Sequence, residues 1–172
     1  MRRLLDGLYD AAAALAAVFM LGLLLVVLSS IAGRQLGFYI AGSDAYAGYL
    51  MAAAGFLALA HTLKRGEHIR VTLLSNALPP AGRRALDRLA LSLAALLGLV
   101  AAWYSVRLVW LSWQFNDIST LNDATPLWLP QLSMAIGNAV LAIALLDEWQ
   151  LEWRGLRRSP QADDMGEALH NE

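Results

Sequence analysis

Four long stretches of the chain contain no Asp, Glu, Lys or Arg. These charge-free stretches cover residues 11–33, 45–63, 89–106 and 124–146. As α-helices they would be about 27 to 35 Å long, enough to cross a hydrocarbon core of about 30 Å. They also lack the polar positions, one every three or four residues, that mark the wet face of a helix in a soluble protein. The pattern predicts four membrane-spanning helices, at residues 11–33, 45–63, 89–110 and 126–146.

The composition fits one membrane domain and leaves little room for another. The chain has 172 residues, of which 58% are hydrophobic. We therefore predict an all-α protein, an integral membrane four-helix bundle formed by residues 1–155. The first stretch is too long for the apolar region of a secretory signal, so we expect it to be retained. Residues 156–172 are polar and are predicted to form a disordered tail.

The basic residues are sorted between the two sides of the predicted spans. Eleven of the thirteen Lys and Arg residues precede the first span, lie between the second and third, or follow the fourth. Only Arg34 and Arg107 lie toward the other side. Because Lys and Arg are retained in the cytoplasm during insertion, we expect both termini and the middle loop to be cytoplasmic. No basic stripe for nucleic acid is present, and the absence of Cys excludes disulfides and thiolate metal sites.

The middle loop holds a segment with helical periodicity at residues 68–78. Its apolar positions recur at helical spacing: Ile69, Leu73, Leu74, Ala77 and Leu78. This spacing predicts a short interfacial helix in the cytoplasmic headgroup layer, ended by Pro79 and Pro80. The alternative is a basic loop in which the periodicity is incidental.

Candidate catalytic and metal-binding residues are sparse. The sequence has no nucleophile elbow, no glycine-rich phosphate loop and no H-E-x-x-H motif. His61 is the one histidine near a predicted span, whereas a transmembrane haem commonly needs two. We interpret Asp117 and Asp123, which have no neighbouring base, as solvated charges. An enzyme is therefore the weaker interpretation.

The interior of the predicted spans offers one clear polar group, Asn138, with Gly137 beside it. An amide at this depth favours a partner across a helix interface, so we interpret Asn138 as a packing residue, with substrate contact as the alternative. No ionisable group is expected at mid-membrane depth, where an autonomous transporter would use one. By elimination, the residues indicate a small helical membrane subunit that supports a larger protein complex.

Several segments together carry a family resemblance. Residues 55–71 run from an Ala-rich span into a basic turn and then Gly66-x-His68-Ile69. Residues 125–130 read Thr-Pro-Leu-Trp-Leu-Pro, with Pro126 and Trp128 at the start of the fourth span, followed by Gly137. In this order and spacing, over roughly residues 5–155, the chain resembles the small membrane subunit of tripartite ATP-independent periplasmic (TRAP) transporters, the DctQ-type family. Where that family often has Glu before the second span the chain has Asp44, and the family's Trp within that span is missing.

The resemblance implies a scaffold role in a sodium-driven importer of small organic acids, commonly carboxylates or sialic acids, in the bacterial inner membrane. Its expected partners are a large multi-span membrane subunit that moves as an elevator, a periplasmic solute-binding protein and the lipid bilayer. The chain itself is expected to hold no cofactor, because sodium would bind the large subunit. His68 and Arg70 are expected to anchor the middle loop to lipid phosphates, with Gly66 ending the helix before them. The rival hypotheses are a membrane anchor for a redox or other enzyme complex and an autonomous small exporter.

Overall fold

In a computed structural model, the chain folds into four long α-helices. The structure describes residues 2–65, 79–121 and 123–155. The helices are α1 (Arg2–Gln35), α2 (Ser43–Lys64), α3 (Pro80–Gln114) and α4 (Trp128–Trp153). Each is long and apolar enough to cross a membrane. The prediction of an all-α protein with four spans is confirmed. The predicted interfacial helix at 68–78 and the tail at 156–172 lie outside the described residues.

The helices continue beyond the charge-free stretches that predicted them. α1 begins at Arg2 and α4 continues to Trp153, past the first acidic residue of its second half, Asp147. Charged residues such as Arg and Glu are good helix formers, so a helix can continue past the charge that ends an apolar run. α3 begins with Pro80, where the missing N–H has no intrahelical partner to lose.

The helices pack in the order α1, α2, α4, α3, rather than in chain order. α2 packs against both α1 and α4, and α4 packs against both α2 and α3. α1 makes only slight contact with α4, and the described residues show no packing of α1 against α3. The outer two helices therefore present broad apolar surfaces, with Leu21 and Leu97 about two-thirds exposed. Such surfaces suit a lipid or protein environment within the bilayer.

The two ends of the molecule differ in charge. We call the end at which α1 and α3 begin and α2 and α4 finish the basic end, because it carries most of the Lys and Arg residues. The other is the opposite end. A buried cluster near the basic end joins α1, α2 and α4 and is built mainly from small side chains: Tyr9, Ala12, Ala60, Val140 and Ala144. Small residues let these helices approach closely, which is how helices associate in lipid.

Candidate functional site

A close helix contact lies between α2 and α4, where Gly137 meets Phe56. A Cβ atom at position 137 would lie 2.5 Å from the Phe56 carbonyl oxygen and 2.8 Å from its Cβ. Both are backbone or near-backbone atoms that cannot turn aside. Gly137 is therefore required for this contact, which fixes α2 against α4.

Asn138 joins α4 to α3 through a buried hydrogen bond. Its Nδ2 donates to Ser105 Oγ at 2.7 Å, and Ser105 Oγ donates in turn to the Ala101 carbonyl at 2.7 Å. Asn138 and Ser105 are both buried. The amide is thus engaged within the bundle, and Gly137 and Asn138 place two interhelical contacts at one depth.

At the opposite end, Asp123 ties the connection between α3 and α4 to α2. Ser119 Oγ donates to its carboxylate at 2.6 Å and Tyr49 OH donates at 3.1 Å. The pKa of the Asp123 carboxyl is lowered from its ordinary value, chiefly because the Ser119 hydroxyl donates to it, and partial burial opposes this only in part. The interpretation of Asp123 as a solvated charge was wrong, because its carboxylate accepts hydrogen bonds from Ser119 and from Tyr49, which is 74 residues away along the chain. Asp117 is exposed, as expected of a solvated charge.

The same end exposes apolar side chains in both connections between helices. Phe38 and Tyr39 in the first connection are more than half exposed, as are Phe115, Ile118 and Leu121 in the second. Pro126 is also exposed and forms an isolated bridge with Ile118. These side chains lie in the connections beyond the helix ends, and they are exposed for contact with another molecule.

An apolar groove lies between α3 and α4 near the opposite end. Its cavity of about 470 Å³ has walls that include Trp110, Trp113 and Trp128. Trp128 is half-buried at the first position of α4, two residues after the predicted start of the span. The predicted interaction residue Trp128 therefore lines a groove rather than standing alone at the membrane surface.

The basic end holds an ion pair and a histidine–carboxylate contact between α1 and α2. Lys64 Nζ lies 2.6 Å from Asp6 Oδ1 and 5.7 Å from the centre of the Tyr9 ring. His61 Nδ1 lies 3.6 Å from Asp10 Oδ1, beyond the usual range of a hydrogen bond. The sequence did not single out these pairs, although opposite charges at the matching ends of two adjacent spans could have suggested them.

A cavity of about 230 Å³ opens beside the ion pair between Lys64 and Asp6. It is lined by three carboxylates, from Asp6, Asp147 and Glu148, and by the Lys64 ammonium. The Tyr9 hydroxyl in its wall is buried and has no hydrogen-bond partner among the described residues. Within the described ranges, no group of three or more His, Asp or Glu residues is arranged to hold a metal ion.

Arg107 lies farther from the end of its helix than the predicted span 89–110 implied. It lies within α3, about 10 Å along the axis from Gln114 at a rise of 1.5 Å per residue. It is two residues after Ser105. Ser105 contacts Asn138, and Asn138 is about 15 Å from the start of α4. The Arg107 side chain is exposed, and the described part of the chain provides no ion pair, hydrogen bond or ring contact for it.

Three predicted site residues lie outside the described part of the chain: Gly66, His68 and Arg70. Their suggested role at the membrane surface stays a prediction. Of the remaining four, Gly137 and Asn138 lie side by side in the bundle, whereas Pro126 and Trp128 lie at the opposite end.

Four apolar helices joined by intramembrane contacts define a multi-pass integral membrane protein. Residues 23–155 match the family described as tripartite ATP-independent periplasmic transporters, DctQ component. The chain belongs to this family and is a small subunit of a TRAP transporter, a multi-pass protein of the inner membrane. The family consists of transporter components and is not a family of enzymes. No individual curated protein matches the chain.

Proposed function

We propose that the chain is the static scaffold subunit of a sodium-coupled TRAP importer of organic acids, carboxylates or sialic acids. Membership of the DctQ family is the observation that carries this proposal. The family implies a tripartite system, and we assign the moving, elevator-type part and the sodium sites to the large membrane subunit. This chain would supply a fixed surface against which the large subunit moves.

The contacts between helices support a rigid role. Gly137 lies directly against the Phe56 backbone, and Asn138 is hydrogen-bonded to Ser105 at the same depth. Packed interfaces of this kind resist continuous deformation. The central polar group is therefore engaged in packing, which suits a scaffold better than a solute site.

The outer surfaces support assembly with a larger partner. α1 and α3 each pack against a single neighbouring helix and leave apolar faces open. We propose that one of these faces binds the large subunit and that the rest contacts lipid. The exposed side chains at the opposite end, among them Phe38, Phe115 and Leu121, would help to dock the periplasmic solute-binding protein.

The distribution of charge supports one orientation in the membrane. Most of the described Lys and Arg residues lie at the basic end, and in the sequence eleven of thirteen are on that side of the predicted spans, so we place this end in the cytoplasm together with both termini. Attachment of a membrane-impermeant label to single cysteines introduced at Tyr39 and Arg154 tests this. We expect labelling of whole cells or spheroplasts at position 39 and not at position 154; the reverse result would overturn the orientation.

Reconstitution with one component left out at a time tests the function. Proteoliposomes would contain this chain, the large subunit and the solute-binding protein, with a panel of labelled organic acids and an inward sodium gradient. We expect uptake only when all three components and sodium are present. Uptake unaffected by removal of this chain would contradict the scaffold role, and a Soret band in the purified chain would favour the redox-anchor hypothesis instead.

A further inference from the structure

Arg107 lies inside α3, close to the level of the contact between α2 and α4. Gly137 meets Phe56, which is about 20 Å from the start of α2 and about 12 Å from its charged last residue, Lys64. Ser105 contacts Asn138, the neighbour of Gly137, and Arg107 is about 3 Å farther along α3 toward the opposite end. The Arg107 backbone is therefore about 15 Å or more from either end of α2.

The guanidinium of Arg107 cannot easily reach water from this depth. Side chains on an α-helix lean toward its N-terminus, and the N-terminus of α3 is at the distant basic end. The nearer surface lies about 10 Å away in the other direction, past Trp110 and Gln114. Snorkelling to the headgroups of the nearer leaflet would therefore oppose the natural direction of the side chain.

A charged residue within a membrane span normally faces the interior of a bundle and is paired there. Arg107 instead points away from this bundle, because α3 packs only against α4 and Arg107 is exposed. The other Arg toward this end, Arg34, lies 3.9 Å from Asp44, so its charge has a partner. The position of Arg107 thus indicates that the bundle is incomplete on this side.

The surface around Arg107 has the composition of a protein interface. Residues three, four and seven positions away lie on the same side of α3 and are exposed: Val100, Trp103, Tyr104 and Trp110. Trp, Tyr and Arg are the residues most enriched at the energetic centres of interfaces. A surface that met only lipid tails would be expected to resemble that of α1, where the exposed positions include Leu21, Leu24 and Leu25.

We propose that the α3 face formed by Val100, Trp103, Tyr104, Arg107 and Trp110 binds a transmembrane helix of the large subunit. The proposal rests on the proposed function and specifies the contact. Arg107 forms a charge-assisted pair with a carboxylate on that helix, because a carboxylate matches the guanidinium fork and neutralises it in a medium of low dielectric constant.

The affinity between the two subunits tests this pair directly. The fluorescently labelled chain would be titrated with the large subunit in nanodiscs, as wild type, Arg107→Leu, Arg107→Lys and Arg34→Leu. We expect Arg107→Leu to raise the Kd by about tenfold or more, because the partner carboxylate is left buried and unpaired. Arg107→Lys should have a smaller effect, and Arg34→Leu, the matched control at the exposed ion pair, should bind as wild type does.

Equal affinity of Arg107→Leu and wild type would overturn this inference and leave the proposed function standing. Failure of the wild-type chain to bind the large subunit would contradict the proposed function itself. A second measurement keeps Arg107 intact, so it does not depend on removal of the charge. A photoreactive benzophenone side chain in place of Tyr104 should cross-link to the large subunit; adducts with lipid alone would overturn the assignment of this face.

Discussion

Gly137 lies so close to Phe56 that the two helices share a backbone contact, with a Cβ at position 137 placed 2.5 Å from the Phe56 carbonyl oxygen. Close approach of backbones is the main means by which helices associate where lipid is as apolar as the side chains. This contact and the hydrogen bond from Asn138 to Ser105 hold α2, α4 and α3 in a fixed arrangement.

Gly137→Ala should destabilise the bundle by about 1 to 3 kcal/mol, because the added methyl group overpacks a contact with backbone atoms. Thermal unfolding in detergent, followed by circular dichroism, measures the effect. Gly55→Ala is the matched control on α2, since a Cβ there meets no atom within 4 Å. We expect the control to equal the wild type or exceed it slightly in stability; equal stability of Gly137→Ala and Gly55→Ala would contradict the contact.

Asn138 and Ser105 should be energetically coupled. A double-mutant cycle with Asn138→Ala and Ser105→Ala is expected to give a coupling free energy of about 0.6 kcal/mol, the average for hydrogen bonds between membrane helices. Ser133 serves as the control because its hydroxyl donates within its own helix, to the Pro130 carbonyl. The cycle of Asn138→Ala with Ser133→Ala should show no coupling, and a value as large as that for Ser105 would refute a specific pair.

The connection held by Asp123 should weaken in acid. Its pKa is lower in the folded protein than the ordinary value of 3.8, chiefly through the Ser119 hydroxyl, so its stabilising contribution is complete above about pH 4. The contribution falls as the pH drops below that value toward the folded pKa. Thermal unfolding between about pH 6 and pH 3 should show a steeper loss for wild type than for Asp123→Asn. Asp117→Asn should follow the wild type; identical profiles for Asp123→Asn and wild type would rule out the contribution.

The half-buried ion pair between Lys64 and Asp6, at the basic end, should stabilise the protein more than the exposed ion pair at the opposite end does. We expect Lys64→Gln to cost about 1 kcal/mol, since it removes a 2.6 Å contact with Asp6 and the interaction with the Tyr9 ring. Arg34→Gln breaks a 3.9 Å pair whose side chains are mostly exposed, and its effect should be close to zero. Equal losses of unfolding free energy for Lys64→Gln and Arg34→Gln, measured by chemical denaturation, would show that burial of the pair makes no difference.

The sequence predicted the four spans because charges are excluded from hydrocarbon, and each charge-free stretch became the centre of a helix. It did not predict the packing order α1, α2, α4, α3. In a bilayer all faces of a span can be apolar, so no periodicity marks the face that meets a neighbour. Gly137 and Asn138 were identifiable because a small residue and an amide stand out among aliphatic side chains.

The contacts that the sequence missed depend on distance in space rather than along the chain. Asp123 appeared solvated because its partner Tyr49 is 74 residues away, within a different helix. Arg107 ends the third charge-free stretch and lies near the end of the predicted span 89–110, so the sequence did not show how far the helix continues past it. The continuation of α3 to Gln114 puts Arg107 about 10 Å from the end of the helix, near the level at which Ser105 meets Asn138.

The most direct test of the scaffold account is solute uptake by the purified chain alone. Vesicles that contain only this polypeptide would be given a sodium gradient and the organic acid that the complete three-component system accumulates. The account predicts no uptake above that of protein-free vesicles, and uptake once the large subunit and the solute-binding protein are added. Sodium-dependent accumulation by the chain alone would contradict it.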